Sequence, residues 1–199
     1  MWALALAGCG EEARAAANGL IDTAEATHNP YVLSFALYVH GYAFRDADPA
    51  GALDAARRGL VIARDSGNRY AETLLAGVLC YLEAEHGDPL AALDYVTVAI
   101  GNFHDAGNTT GVRTGTSILA ALFHRLGRHE PAATIAGFAV SPLTAVAEFN
   151  TAIAHLRDVL GDPAYESLAR KGETMTTAAI AAYAYDQIDQ ARTELEHLS

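Results

Sequence analysis

Lysine is almost missing from this chain. Lys171 is the only one in 199 residues, and 13 basic residues face 24 acidic ones, for a formal charge of −11. Affinity for a phosphate backbone comes largely from counterions released at lysine and arginine contacts, so direct nucleic-acid binding is not expected. Cysteine is as scarce. Cys9 and Cys80 stand far apart in no CxxC arrangement, which suits small apolar side chains in a reducing compartment. Six prolines, 8% aromatic residues and no alternating apolar segment between hairpin turns exclude a β-sandwich or barrel. Every apolar stretch is broken by charge or glycine before ~18 residues, so no membrane span is expected. Leu6-Ala7-Gly8-Cys9 has the form of a bacterial lipidation box. Yet no basic residue precedes it, and the apolar run from Trp2 to Ala7 falls short of the ~7–15 residues of a signal core. The composition reads as a cytoplasmic protein without a membrane partner.

The motifs that carry chemistry are missing too. No GxxxxGK(S/T) phosphate loop occurs, and Ser34, Ser66, Ser117, Ser141, Ser167 and Ser199 sit in no GxSxG elbow. No two of the eight histidines lie at HxxxH spacing. His124 and His129, with Glu130, come nearest to a zinc set, but they read as helix-end residues that suit the helix dipole. Asp46 with Asp48, and Glu83 with Glu85, are conceivable acid–base pairs that read as solvated residues near helix ends. The nine tyrosines, among them Tyr31, Tyr38, Tyr42, Tyr70 and Tyr81, read first as packing between helices with a wet hydroxyl, and second as the lining of a groove. No catalytic residue, metal or cofactor is expected.

What the chain has is an echo at 40 residues. Asp48-Pro49-Ala50-Gly51-Ala52-Leu53 returns as Asp88-Pro89-Leu90-Ala91-Ala92-Leu93, and Gly87 and Ala92 return as Gly127 and Ala132. Apolar residues at helical spacing inside such a period mark helical hairpins that bury their faces by stacking. The expected fold is all-α, an α-solenoid of antiparallel hairpins. A first helix over 11–27 precedes one unit at 31–65, a second at 69–105 and a third at 109–140. Asp65-Ser66-Gly67-Asn68 and Asp105-Ala106-Gly107-Asn108 join the units. Gly67 and Gly107 suit the left-handed position that ends a helix, and Asn68 and Asn108 suit the cap of the next. From Ser141, a stripe of Ala145, Phe149, Ala152, Ile153, Leu156 and Leu160 opens a different segment. A short helix over 164–170, a break at Gly172 and a last helix over 174–197 follow. The division expected is 1–140 for the repeats and 141–199 for a helical cap.

Leu79-Cys80, Gly87-Asp88-Pro89, Ala92-Leu93 and Ala99, with Ala52-Leu53 and Gly59 one unit earlier, resemble the tetratricopeptide repeat. They do so at a period of 40 where that family has about 34, and without its closing proline. A second resemblance lies in the last third. Leu160-Gly161-Asp162-Pro163-Ala164-Tyr165, Ala169, Gly172, Met175-Thr176, Ala179, Ala182-Tyr183-Ala184 and Gln187-Ile188-Asp189 look like the end of a helical repeat module in large actinobacterial regulators. Those are LuxR-type and MalT-like ATP-dependent transcriptional regulators, some with a nucleotide-cyclase domain. Asp105-Ala106-Gly107-Asn108 and Leu126-Gly127-Arg128 also recur there. The resemblance runs from about Asp48 onward. It implies a non-catalytic interaction or ligand-sensing module in transcription regulation and signal transduction, with a protein or peptide partner. Its state would be relayed to ATPase or DNA-binding domains outside this chain. Self-association through Trp2, Leu4, Leu6, Leu20 and Ile21 is a further expectation. The reading from another class is a stand-alone helical enzyme or small-molecule carrier with its site in the superhelical hollow.

Overall fold

The computed structural model describes residues 10–141, 144 and 147–198, and these are helical throughout, with no strand among them. Trp2, Leu4, Leu6, Cys9 and Ala145 lie outside the described residues. In chain order the helices are α1 Gly10–Ala17, α2 Leu20–Ala26, α3 Pro30–Phe44, α4 Pro49–Asp65, α5 Arg69–His86, α6 Pro89–Asp105, α7 Thr109–Arg125, α8 His129–Ala139, α9 Ala147–Leu160, α10 Asp162–Glu173 and α11 Thr177–Leu198.

Side-chain oxygens start helices α3 to α7. Asn29, Asp48, Asn68, Asp88 and Asn108 each accept a hydrogen bond from a backbone N–H of the first turn, at 2.9, 3.0, 3.1, 2.9 and 2.9 Å. Such a cap contributes about 1 kcal/mol over alanine by satisfying a donor that the helix leaves open. Pro30, Pro49 and Pro89 follow directly, at a position where no N–H is needed. Helices α4 to α8 begin at residues 49, 69, 89, 109 and 129. The 40-residue echo is therefore two equal steps of one helix and one turn.

The turns fall into two kinds. Gly67, Gly107 and Gly127 all take positive φ, at 71°, 65° and 74°. After each, the next N–H reaches back to a carbonyl five residues earlier, as from Asn68 to Ala63, Asn108 to Phe103 and Arg128 to Phe123. A side chain at these glycines would be strained in the left-handed region. Gly87 has φ −136° and makes no such turn. Gly127, which echoes Gly87 in sequence, is thus the conformational counterpart of Gly67 and Gly107.

The chain forms two compact units, up to Gly87 and from Asp88. In the first, α3 packs on α4, α4 on α5, and α3 also on α5, with α1 and α2 against α3. Ala36, Leu37, Ala52, Ala56, Leu60, Leu75 and Leu79 are buried there. Gly59 lets α4 approach so closely that a Cβ on it would stand 2.9 Å from both Leu37 Cβ and Leu75 Cδ2. The helix expected over 11–27 is two helices, because Gly19 turns at φ 71° between Ala17 and Leu20.

In the second unit α6 packs on α7 and α7 on α8, while α10 lies along α8. A Cβ added at Gly137 would run into the carbonyl oxygen of Ala169, and one at Gly172 into that of Thr134. Gly172 is therefore no break. It lies inside α10, buried against α8, and the chain turns at residues 174–176 instead. This close crossing ties the last third to α8. Helix α9 packs on α7, α8 and α10, and α11 lies against α6, α7 and α8. Ile180, Ala181, Ala184, Ile188 and Ala191 are the buried residues of α11. Arg192 bonds Asp94 and Thr97 of α6 at 2.8 and 3.1 Å, and Arg128 reaches Gln187 and Glu194. Among the described residues no helix is long and apolar enough to cross a membrane.

Candidate functional site: an aromatic row on the first helices

The residues singled out from the repeat pattern build the frame. Ala52, Ala92, Leu93 and Ala132 are fully buried, and Leu53 is half-buried. Ala52, Ala92 and Ala132 each sit four residues past a cap position, where a small side chain lets a neighbouring helix come close. Gly67, Asn68, Gly107 and Asn108 make the turns and caps described above, and Gly87 is exposed beside the Glu83 carboxylate. These positions set the spacing of helices.

Sequence reasoning kept the lining of a groove as a second reading for Tyr31, Tyr38, Tyr42 and Tyr70, and passed over Phe35, which joins the first three in a row. Tyr31, Phe35, Tyr38 and Tyr42 follow one another along α3 at intervals of four, three and four residues, hence on one face. Ring centroids are 5.6 Å apart for Phe35 and Tyr38, and 6.2 Å for Tyr38 and Tyr42. The row climbs out of the protein. Tyr38 is buried, whereas Tyr31, Phe35 and neighbouring Val32 are 52%, 44% and 42% exposed, and Tyr70 at the start of α5 is 64% exposed. Tyr31 donates its hydroxyl proton to the Ser66 carbonyl oxygen at 3.0 Å, which brings it to the turn before α5.

Charge closes the buried end of the row. The Arg45 guanidinium lies 4.5 Å from the ring centroids of both Tyr42 and Tyr81, and Arg45 also meets Asp46 at 3.6 Å. Tyr81 donates to Asp46 Oδ1 at 3.1 Å. Burial first, and then the Asp46 charge, hold the Tyr81 phenol well above its ordinary range. It stays a neutral donor. Nearby Glu83, at 3% exposure, pairs with half-exposed Arg57 at 2.7 Å. These acids and bases satisfy one another, which suits anchoring. His40 stacks on Phe44 at 4.4 Å, its pKa lowered by burial and partly restored by Asp48. The Cys80 thiol is pushed up to about 12 by burial and is inert at neutral pH.

The second unit holds a different cluster. His124, at the end of α7, stands between His129 at the start of α8 and His155 on α9, with ring centroids 5.6 and 5.4 Å away. Among the described residues no three histidines, cysteines or carboxylates are placed to share a metal ion. A shallow hollow elsewhere in this unit is lined by Pro163, Glu166, Ser167, Arg170, Lys171 and Thr174. Compared with models of known protein families, with curated proteins and with solved structures, the chain matches none.

Proposed function

We propose that this chain is a non-catalytic binding module of tetratricopeptide-like hairpins that takes a peptide or protein segment on the aromatic face of α3 and α5. One observation carries this reading: Tyr31, Val32, Phe35 and Tyr70 leave large apolar side chains in water, on helices with ample buried core elsewhere. Exposed aromatic residues on a rigid frame are what recognition sites are made of, because they bring contact area at little cost in side-chain entropy. The equal steps from helix to helix fit a repeat whose frame is fixed while its surface varies. A charge of −11 favours a partner with basic residues flanking an apolar stretch. In the fuller form of the proposal the module belongs to a cytoplasmic, LuxR-like signalling regulator. Occupancy of the aromatic face would then be relayed to its ATPase or DNA-binding domains.

Selection from a displayed random-peptide library tests the proposal. The expected binders are apolar with basic flanks, and they lose about tenfold or more in affinity against a Tyr31→Ser/Phe35→Ser/Tyr70→Ser variant that melts like the parent. Peptides that bind the variant equally well would remove this face as the site. Saturable turnover of ATP by the purified chain would replace the non-catalytic reading.

A further inference from the structure

Three histidine rings meet in one cluster, tilted by 44° and 46° to one another, in a chain where most charged side chains with a described partner meet one of opposite sign. His124 brings the last turn of α7, His129 the first residue of α8 and His155 the middle of α9, with His124 in the centre. The Nδ1 atoms of His124 and His129 are sealed from solvent without a hydrogen-bond partner, whereas His155 is exposed. We propose that this cluster is a pH-sensitive latch, which holds α9 on the α7–α8 turn while His124 is neutral and releases it when His124 takes up a proton in mild acid.

The chemistry follows from donors and charges. A neutral imidazole has one donor nitrogen and one acceptor, so it tolerates a buried Nδ1 better than an imidazolium, which needs an acceptor at both nitrogens. A proton on His124 would leave a donor in a dry place without a partner. It would also add a positive charge among basic groups. Those that bear on His124 are His129 from α8, His155 from α9 and Arg125 from its own helix. The helices packed around α7 do carry acids: Asp94 and Asp105 on α6 beside His104, Glu130 on α8, Glu148 and Asp158 on α9, Asp186 and Asp189 on α11. None of them is among the charges that act on the ring. Burial, then these basic neighbours, hold the His124 pKa below its ordinary value.

The sign of the effect is then fixed. A base whose pKa is lower when docked than when free takes up protons on release, so docking is strongest above the free-histidine value of about 6.5 and weakens below it. Release of α9 relieves the cluster most directly, because it removes the His155 ring and opens His124 to water. Phe149, Ala152 and Leu156, the buried residues of α9, oppose that release. One proton taken up on opening raises the opening constant up to about tenfold per pH unit below 6.5.

Hydrogen exchange of the α9 amides at pH 7.5, 6.5 and 5.5, corrected for intrinsic chemical exchange, tests the latch. In the parent protein, opening of residues 147–160 should rise about tenfold from pH 7.5 to 5.5, while α8 and α10 keep their protection. His124→Gln, which removes the central ring, should lose most of the acid response, and His155→Gln, which removes only one of its basic neighbours, should lose a smaller part of it. The proposal is overturned if α9 opens equally at all three values, if His124→Gln responds like the parent, or if the whole second unit loses protection together with α9.

Discussion

The first helices of the two units share a frame and differ on their faces. Counting from the capping asparagine, positions two, six, nine and thirteen are Tyr31, Phe35, Tyr38 and Tyr42 on α3, and Tyr70, Leu74, Gly77 and Tyr81 on α5. On α7, after Asn108, the same places hold Thr110, Thr114, Ser117 and Ala121. The capping asparagine and the left-handed residue before it persist, with His28 ahead of α3 and glycine ahead of α5 and α7, while this face passes from four rings on α3, through two on α5, to three hydroxyls and no ring on α7. A repeat needs only the frame to pack. The binding surface is free to be concentrated on one part of the chain, and here the rings gather in the first unit.

The largest test of this contrast lies in how closely the helices pack. In the second unit, Gly137 and Gly172 face backbone carbonyls across α8 and α10, which cannot move without parting the helices. In the first, Gly59 faces the Leu75 methyl groups, which can yield by a rotamer shift, and Leu37 Cβ, which moves only with its backbone. Gly172→Ala should cost about 3 kcal/mol or more. Gly59→Ala should cost about 1 kcal/mol, since overpacking is partly offset by alanine's better helix propensity. Urea melts of the two variants check this, and equal costs would show that the two crossings are not different in kind.

Next in size is a slot that the two units fill differently. Fifteen residues past the cap, α5 has Glu83 and α7 has Phe123, and both are buried. Glu83 meets Arg57 at 2.7 Å, and Arg57 is half exposed, so solvent screens much of the charge. Glu83→Gln keeps the shape and removes the ion pair, with an expected loss of about 1–2 kcal/mol. The same variant with Arg57→Ala should cost little more, because the two side chains act as one unit. A fully additive double variant would mean that Glu83 is held chiefly by other partners.

These differences explain what the sequence could and could not tell. Caps and turn glycines were legible because each does local work: Asn68 and Asn108 bond a backbone three residues on, and Gly67 and Gly107 take a conformation that other residues avoid. The different turns at Gly87 and Gly127 were not legible, because identity at 40 residues says nothing about φ. Gly172 was read as a break for a related reason. Glycine marks both turns and close crossings, and only the partner helix α8 distinguishes them. The aromatic row was present as a spacing of four, three and four, but its exposure depends on which helices cover α3. The histidine cluster was beyond reach, since His155 is far from His124 in the chain and meets it only through the packing of α9.

A smaller effect should separate the two capping asparagines. Asn68 and Asn108 each accept from a backbone N–H, and Asn68 also donates through Nδ2 to Ser34 Oγ at 3.3 Å. Both alanine variants should lose about 1 kcal/mol in thermal or urea melts, with Asn68→Ala the worse by a few tenths. Equal losses would assign the bond to Ser34 no weight.

The smallest expected effect bears on the two histidines whose pKa values are lowered. Burial is the main cause for both, but Asp48 pulls His40 back up whereas only basic groups act on His124. In each case the folded value lies below the unfolded one, so stability is full above about pH 6.5 and is lost as the pH falls below it. Asp48→Asn keeps a side-chain oxygen for the Gly51 N–H and removes the negative charge beside His40. The His40 ring should then titrate at lower pH by nuclear magnetic resonance, while His124 stays where it was. Stability at pH 5.5 should drop by a few tenths of a kcal/mol more than at pH 7.5, within the range of an exposed charge pair. If His40 does not move, Asp48 serves the start of α4 alone, and the contrast between a counterbalanced histidine in one unit and an uncompensated cluster in the other loses its first half.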